Sequence, residues 1–210
     1  MKEKVLFIIL EQYADWEYAF LASALQGSIK DKTSPYEVKT VSLSKSPIKS
    51  IGGFTTLPDY GLEDMPTDCA GMILIGGFSW RTDEAKKLAP IIKQTYANGK
   101  IVGAICDATV YLGMNNLLNE KKHTSNTLDS LIEAAGENYT GKNAYQSIQA
   151  VRDGNLITAN GTAYLEFTKE VLTALNAYPT DYIEENYQFF KLGFIEVLKV
   201  WGSNENNNVN

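Results

Sequence analysis

The chain has 210 residues, 44% hydrophobic and 21% charged, enough for one substantial core without disulfide staples. Its formal net charge of −6 and isoelectric point near 4.9 argue against nucleic acid and anionic membrane surfaces as partners, since both repel the averaged field. A single histidine excludes a histidine-based metal cluster, and no apolar run reaches the length of about 18 residues that crosses a bilayer.

Val5–Leu10 (VLFIIL) is a continuous aliphatic run, which predicts a strand buried on both faces. It is too short for a secretory signal segment. The expectation is therefore a cytoplasmic location, with Cys69 and Cys106 reduced and no disulfide between them. Trp16–Leu25 carries apolar residues at helical spacing, and Val38–Leu43 alternates as a second strand. Ile51-Gly52-Gly53-Phe54-Thr55-Thr56 reads as a glycine-led hairpin or edge strand.

Gly71–Ile75 (GMILI) is a further buried strand that ends at Gly76-Gly77. Thr82 to Gly99 reads as one amphipathic helix with Gly99 as its stop. Lys100–Ile105 is a short buried strand, and a helix begins at once with Ala108–Leu112. His123–Asn126 is strand-like and Leu128–Ala135 helical; Ser147–Val151 and Leu156–Thr158 pair around an Asp153-Gly154 turn. Phe167–Leu175 is helical, Tyr187–Trp201 reads as one long aromatic-rich helix, and 202–210 as a polar disordered tail. Alternating strands and helices predict one doubly wound, mainly parallel α/β domain over residues 1–201.

The segment Gly103-Ala104-Ile105-Cys106-Asp107-Ala108-Thr109 is the chemically informative one. A buried strand stops at Ile105 and a helix starts almost immediately, so small residues must make a sharp turn. Sites in open parallel sheets form at the carboxyl ends of strands. A side chain at such an elbow stands exposed beside the first N–H groups of the next helix. The positive end of that helix can lower a thiol pKa, which makes Cys106 a candidate reactive thiol. Cys69, between Asp68 and Ala70-Gly71, reads as a small buried residue.

The AIC elbow, the preceding LIGG (Leu74–Gly77) and the acidic Asp15-Trp16-Glu17 resemble the ThiJ/PfpI superfamily. So do Leu117–Thr124 (LLNEKKHT) after the elbow helix and Asp153–Gly161 (DGNLITANG) before the next one. The resemblance covers roughly residues 4–176. It implies a flavodoxin-like, class I glutamine amidotransferase-like fold and intracellular protease- or amidase-like proteins. It also implies three roles: Cys106 as nucleophile or redox-sensitive thiol, Glu17 as the acid that contacts it, and Gly77 as an oxyanion donor together with the N–H of Asp107. Such donors contribute about 2.7–4 kcal/mol each to an oxyanion. Without the resemblance, Glu17 is simply an acid favoured in the first turn of a helix.

A cysteine hydrolase also needs a base, and here the pattern departs. Where protease-like members carry histidine after the nucleophile, this chain has Asp107, which can orient a partner, act as a weak base or cap the helix. Where others carry it in the following strand, this chain has Asn126. His123 falls three residues early, and strand alternation turns it to the opposite face.

Trp80 and Arg81 are candidates for the mouth of the site, with Arg81 available to a carboxylate, and Glu166 for a second acid. The C-terminal aromatic stripe reads as packing or as a homodimer interface. Three functions stay open: a hydrolase or amidase acting on a small amide or carbonyl compound, a redox or stress-response protein oxidised at Cys106, and an amidotransferase-like subunit. No cofactor, metal, nucleic acid or membrane partner is expected.

Overall fold

The structure, a computed structural model, describes residues 2–27 and 34–199. The first aliphatic run forms strand β1 (Glu3–Ile8), and helix α1 (Asp15–Gln26) returns across the sheet to β2 (Tyr36–Val41). A short hairpin, β3 (Ile48–Lys49) with β4 (Thr55–Thr56), precedes β5 (Gly71–Leu74). Helix α2 (Ala89–Ala97) leads to β6 (Ile101–Ile105), α3 (Asp107–Met114) and α4 (Leu128–Ala135). Strands β7 (Ala150–Asp153) and β8 (Leu156–Ala159) are followed by α5 (Tyr164–Ala174) and α6 (Thr180–Leu192).

The main sheet has six strands in the order β2-β1-β5-β6-β8-β7, parallel except for the antiparallel edge strand β7. Alternation within each strand divides the core in two. Leu6, Ile8, Met72, Leu74, Val102 and Ala104 face α2, α3 and α4. Val5, Phe7, Ile73, Ile75, Ile101 and Ile105 face α1 and α5. Gly103 lets the Phe167 ring lie against the sheet: a Cβ there would stand 3.1 Å from Phe167 Cζ. This is the doubly wound arrangement expected, and it gathers the carboxyl ends of β1, β5, β6 and β8 along one edge.

Three expectations need correction. The segment from Thr82 to Gly99 is not one helix: a 3₁₀ stretch (Glu84–Leu88) comes first, and α2 restarts with Pro90 in its opening turn. Proline lacks the N–H a continuing helix requires but suits a first turn. His123–Asn126 is not a strand; only His123 bridges, to Tyr145. The C-terminal helix breaks at Gly193 (φ 85°) and resumes over 194–199, because glycine readily takes the left-handed conformation that ends a helix. Trp201 and the 202–210 tail lie outside the described residues.

Candidate active site

Strand β6 ends at Ile105, and Cys106 turns the chain at φ 59°, ψ −130° before α3 begins at Asp107. A non-glycine residue there carries strain of about 1–3 kcal/mol, which the surroundings must hold. Cys106 N–H donates to Ala159 O (2.9 Å). Its carbonyl accepts from Thr109 N–H (3.0 Å) and from the Thr109 hydroxyl (2.6 Å), which also meets Ser125 Oγ at 2.6 Å. Strain at this position reverses the usual order of substitutions. Cys106→Gly is expected to be more stable than Cys106→Ala by about 1 kcal/mol in urea unfolding. Equal stabilities would show that the elbow is unstrained.

Two side chains flank the sulfur. Glu17, in the first turn of α1, is 1% exposed. Its Oε2 accepts the Gly76 N–H (2.8 Å), whereas Oε1 has no hydrogen-bond partner among the described residues. The carboxyl group lies against the Cys106 thiol, close enough for each to act on the other's ionisation. Burial pushes the Glu17 carboxyl up to about 7. Burial first, and then the Glu17 charge, push the thiol up to about 11. The Glu17 charge opposes ionisation of the thiol, so above about pH 7 the carboxyl group is ionised while the thiol keeps its proton.

The second is Asn126, whose Nδ2 donates to Cys106 Sγ at 3.3 Å. Its orientation is determined by its other end, because Oδ1 accepts the Gly161 N–H at 2.8 Å. Gly161 O in turn takes the Trp16 indole N–H (3.0 Å), which ties the start of α1 to the turn after β8. Glycine is required at 161: a Cβ would stand 2.9 Å from Sγ and 3.1 Å from Glu17 Oε1.

One backbone donor acts on the thiol, and Gly77 lines the same cleft. The N–H of Asp107, at the start of α3, acts on the sulfur. The bridge between Tyr13 and Gly77 is closed by Ala14 N–H to Gly76 O (2.9 Å) and Phe78 N–H to Gln12 O (3.3 Å), which leaves Gly77 N–H outside the pairing. Cys106, Glu17, Gly77, Asp107 and Asn126 thus line one cleft of about 440 Å³. Ala14, Trp16, Ile51, Phe78 and Arg81 form the rest of its wall.

The other candidates separate. The Asp107 side chain is not placed as a base: Arg81 clasps both of its oxygens, Nε at 3.1 and 3.0 Å with Nη2 also on Oδ1. Arg81 is therefore at the mouth but already holds a carboxylate. His123 is fully buried, with Lys121 O at 2.6 Å and Tyr139 OH at 2.7 Å on its two nitrogens, and burial lowers its pKa. It packs between Tyr139 and Tyr145, away from the cleft.

Trp80 does not reach the mouth, being 1% exposed and packed on Tyr111 with its N–H on Ile75 O. Glu166 is committed to Tyr187 (3.0 Å) and Lys191 (2.6 Å), where these bonds hold its carboxyl below the usual range against the cost of burial. Cys69 is buried, and burial pushes its thiol up. Sequence reasoning overlooked Gly161 and the apolar wall; a glycine placed just before a helix was the only local signal.

A cysteine on a strand–helix elbow, an acid from the first helix and a doubly wound sheet together define a class of thiol-bearing α/β proteins. The chain belongs to the DJ-1/PfpI family, whose profile matches residues 3–174. It is 37% identical over 201 residues to "Uncharacterized protease YdeA" of Bacillus subtilis (strain 168), covering 96% of this chain and 98% of that protein. A second protein of that organism, "Uncharacterized protease YoaZ", is 33% identical over 191 residues, 90% of either chain. The crystal structure of a thiJ/pfpI family protein from Bacillus anthracis superposes with a TM-score of 0.85 at 33% identity over 91% of both chains. Among the described residues, no helix is long and apolar enough to cross a membrane.

Proposed function

We propose that the chain is a cysteine-dependent hydrolase or amidase for a small amide or carbonyl compound, with Glu17 carrying the proton that a histidine usually carries. The observation behind this reading is the buried, unpartnered Oε1 of Glu17 against the Cys106 thiol. A carboxyl group with a pKa near neutrality is suited to both accepting and returning a proton.

In the acylation step, Cys106 Sγ attacks the carbonyl carbon as its proton passes to Glu17. The C–S bond forms, and the carbonyl electron pair moves to an oxyanion facing the N–H groups of Gly77 and Asp107. Collapse breaks the C–N bond, and the amine departs with the Glu17 proton. Water then attacks the thioester carbon and gives a proton to Glu17; collapse breaks the C–S bond, the sulfur takes that proton, and the carboxylic acid leaves. Asn126 keeps the sulfur aimed throughout. The redox alternative also proceeds through the thiolate, but assigns no step to a proton carrier.

The test is a panel of small amides, esters and aldehydes with mass spectrometry of the Cys106 peptide. A thioester mass on Cys106 in wild type, with no turnover by Cys106→Ala, is expected. Equal rates for the two proteins would rule out the mechanism. A sulfinic acid at micromolar peroxide with no turnover on the panel would favour the redox protein instead.

A further inference from the structure

The walls of the cleft carry information about what enters it. Trp16 (48% exposed), Ile51 (39%) and Phe78 (71%) come from three separate segments and stand around the same opening. Scattered single apolar residues on a surface need no explanation, but a convergent ring above a reactive group is a recognition feature. The ring is held in place. Ile51 N–H donates to Tyr13 O (2.9 Å), Gly52 N–H to Asp15 Oδ2 (2.8 Å), and Trp16 is fastened to Gly161. A wall formed before binding does not have to be ordered by the ligand.

Charge at the same opening argues against an anion. The cleft's one cation, Arg81, is neutralised by the two-oxygen clasp of Asp107. Glu17 on the floor and Asp15 beside the rim are acidic, and the whole chain carries −6. A carboxylate entering here meets no uncommitted positive group among the described residues and loses hydration against apolar walls.

We propose that the Cys106 cleft selects uncharged carbonyl or amide compounds bearing an apolar group, which rests against Trp16, Ile51 and Phe78, and rejects carboxylate-bearing ones. This rests on the hydrolase reading for the chemistry, but not for the selection. It also weakens the amidotransferase reading, since free glutamine brings a carboxylate.

Alkylation reads the walls without any turnover. The rates at Cys106 with N-methylmaleimide, N-benzylmaleimide and N-(carboxymethyl)maleimide are measured by peptide mass spectrometry, each divided by its rate with 2-mercaptoethanol. The benzyl reagent is expected to exceed the methyl one by about tenfold, a partial burial of one ring, and the carboxylate reagent to fall about tenfold below it. The benzyl-to-methyl ratio should collapse toward one in Phe78→Ala and in Ile51→Ser, two exposed positions whose replacement leaves the core untouched.

A wild-type ratio near one, or a preference for the carboxylate reagent, would overturn the proposal. So would a benzyl preference that persists in both variants. Selection by the walls without turnover of any substrate would count against the hydrolase reading alone.

Discussion

Glu17→Gln is expected to lower turnover by about 10²–10⁴-fold while accelerating alkylation of Cys106. The opposed signs follow from the local geometry. Glutamine has the shape of glutamate, and the Gly76 N–H still requires an acceptor, so the amide oxygen takes the place of Oε2. That leaves the amide NH₂ facing the sulfur, where a charge opposing the thiolate is replaced by a donor favouring it. Each unit by which the thiol pKa falls makes about tenfold more thiolate at a given pH. The group proposed to accept and return the proton is gone, however. A parallel fall in alkylation and turnover would mean that Glu17 only shapes the site.

The same variant carries a signature in stability. The Glu17 pKa rises from 4.5 to about 7 on folding, so the folded protein holds this proton more tightly than the unfolded chain. The wild type should therefore lose stability as pH climbs from about 4.5 through 7, by a total of about 3 kcal/mol. Glutamine has no proton to lose, so Glu17→Gln should be flat across that window and more stable than wild type at pH 8. Urea unfolding at pH 5 and pH 8 measures the difference directly.

Gly76→Ala carries the second large effect. A Cβ at this position would stand 2.5 Å from Cys106 Cβ and 2.9 Å from Ile105 O, and would also run into Glu17 Oε2. The Ile105 carbonyl is backbone at the end of the central strand β6, so it cannot swing aside as a flexible side chain would. The expected cost is about 3 kcal/mol of stability, with at least about 10²-fold lower kcat/KM because Glu17 and Cys106 are forced apart. Gly154→Ala is the comparison. It has φ 62° in the surface turn between β7 and β8, and nothing lies within 4 Å of its missing Cβ. Only the conformational cost of about 1 kcal/mol applies there, and turnover should be untouched.

The parts of this molecule that were legible in the sequence are those encoded by neighbours in the chain. Ile101–Ile105 followed at once by a helix can only be a sharp turn, so Cys106 stood out without any partner being known. The strands of the parallel sheet announced themselves through unbroken apolar runs such as Val5–Leu10. The apolar face of α2 was readable too, but Pro90 had to be read as a restart rather than an interior residue.

What stayed hidden was decided by contacts across long separations. Asp107 offered a base or a cap from the sequence alone; only the fold brings Arg81, 26 residues away, against both of its oxygens. Trp80 and Arg81 are adjacent, yet one turns into the core and the other to the mouth, because Ile75 O and Tyr111 accommodate the indole. The ring of Trp16, Ile51 and Phe78 has no signature in the chain, since it exists only where three loops meet.

Asn126 has an evolutionary consequence. Its amide is held by Gly161 on one side and touches the thiol on the other, so the residue already occupies the place from which an imidazole would reach the sulfur. Asparagine and histidine codons differ by one base. A single-base change would therefore set an imidazole beside the sulfur, next to the carboxyl group that we propose as the proton carrier.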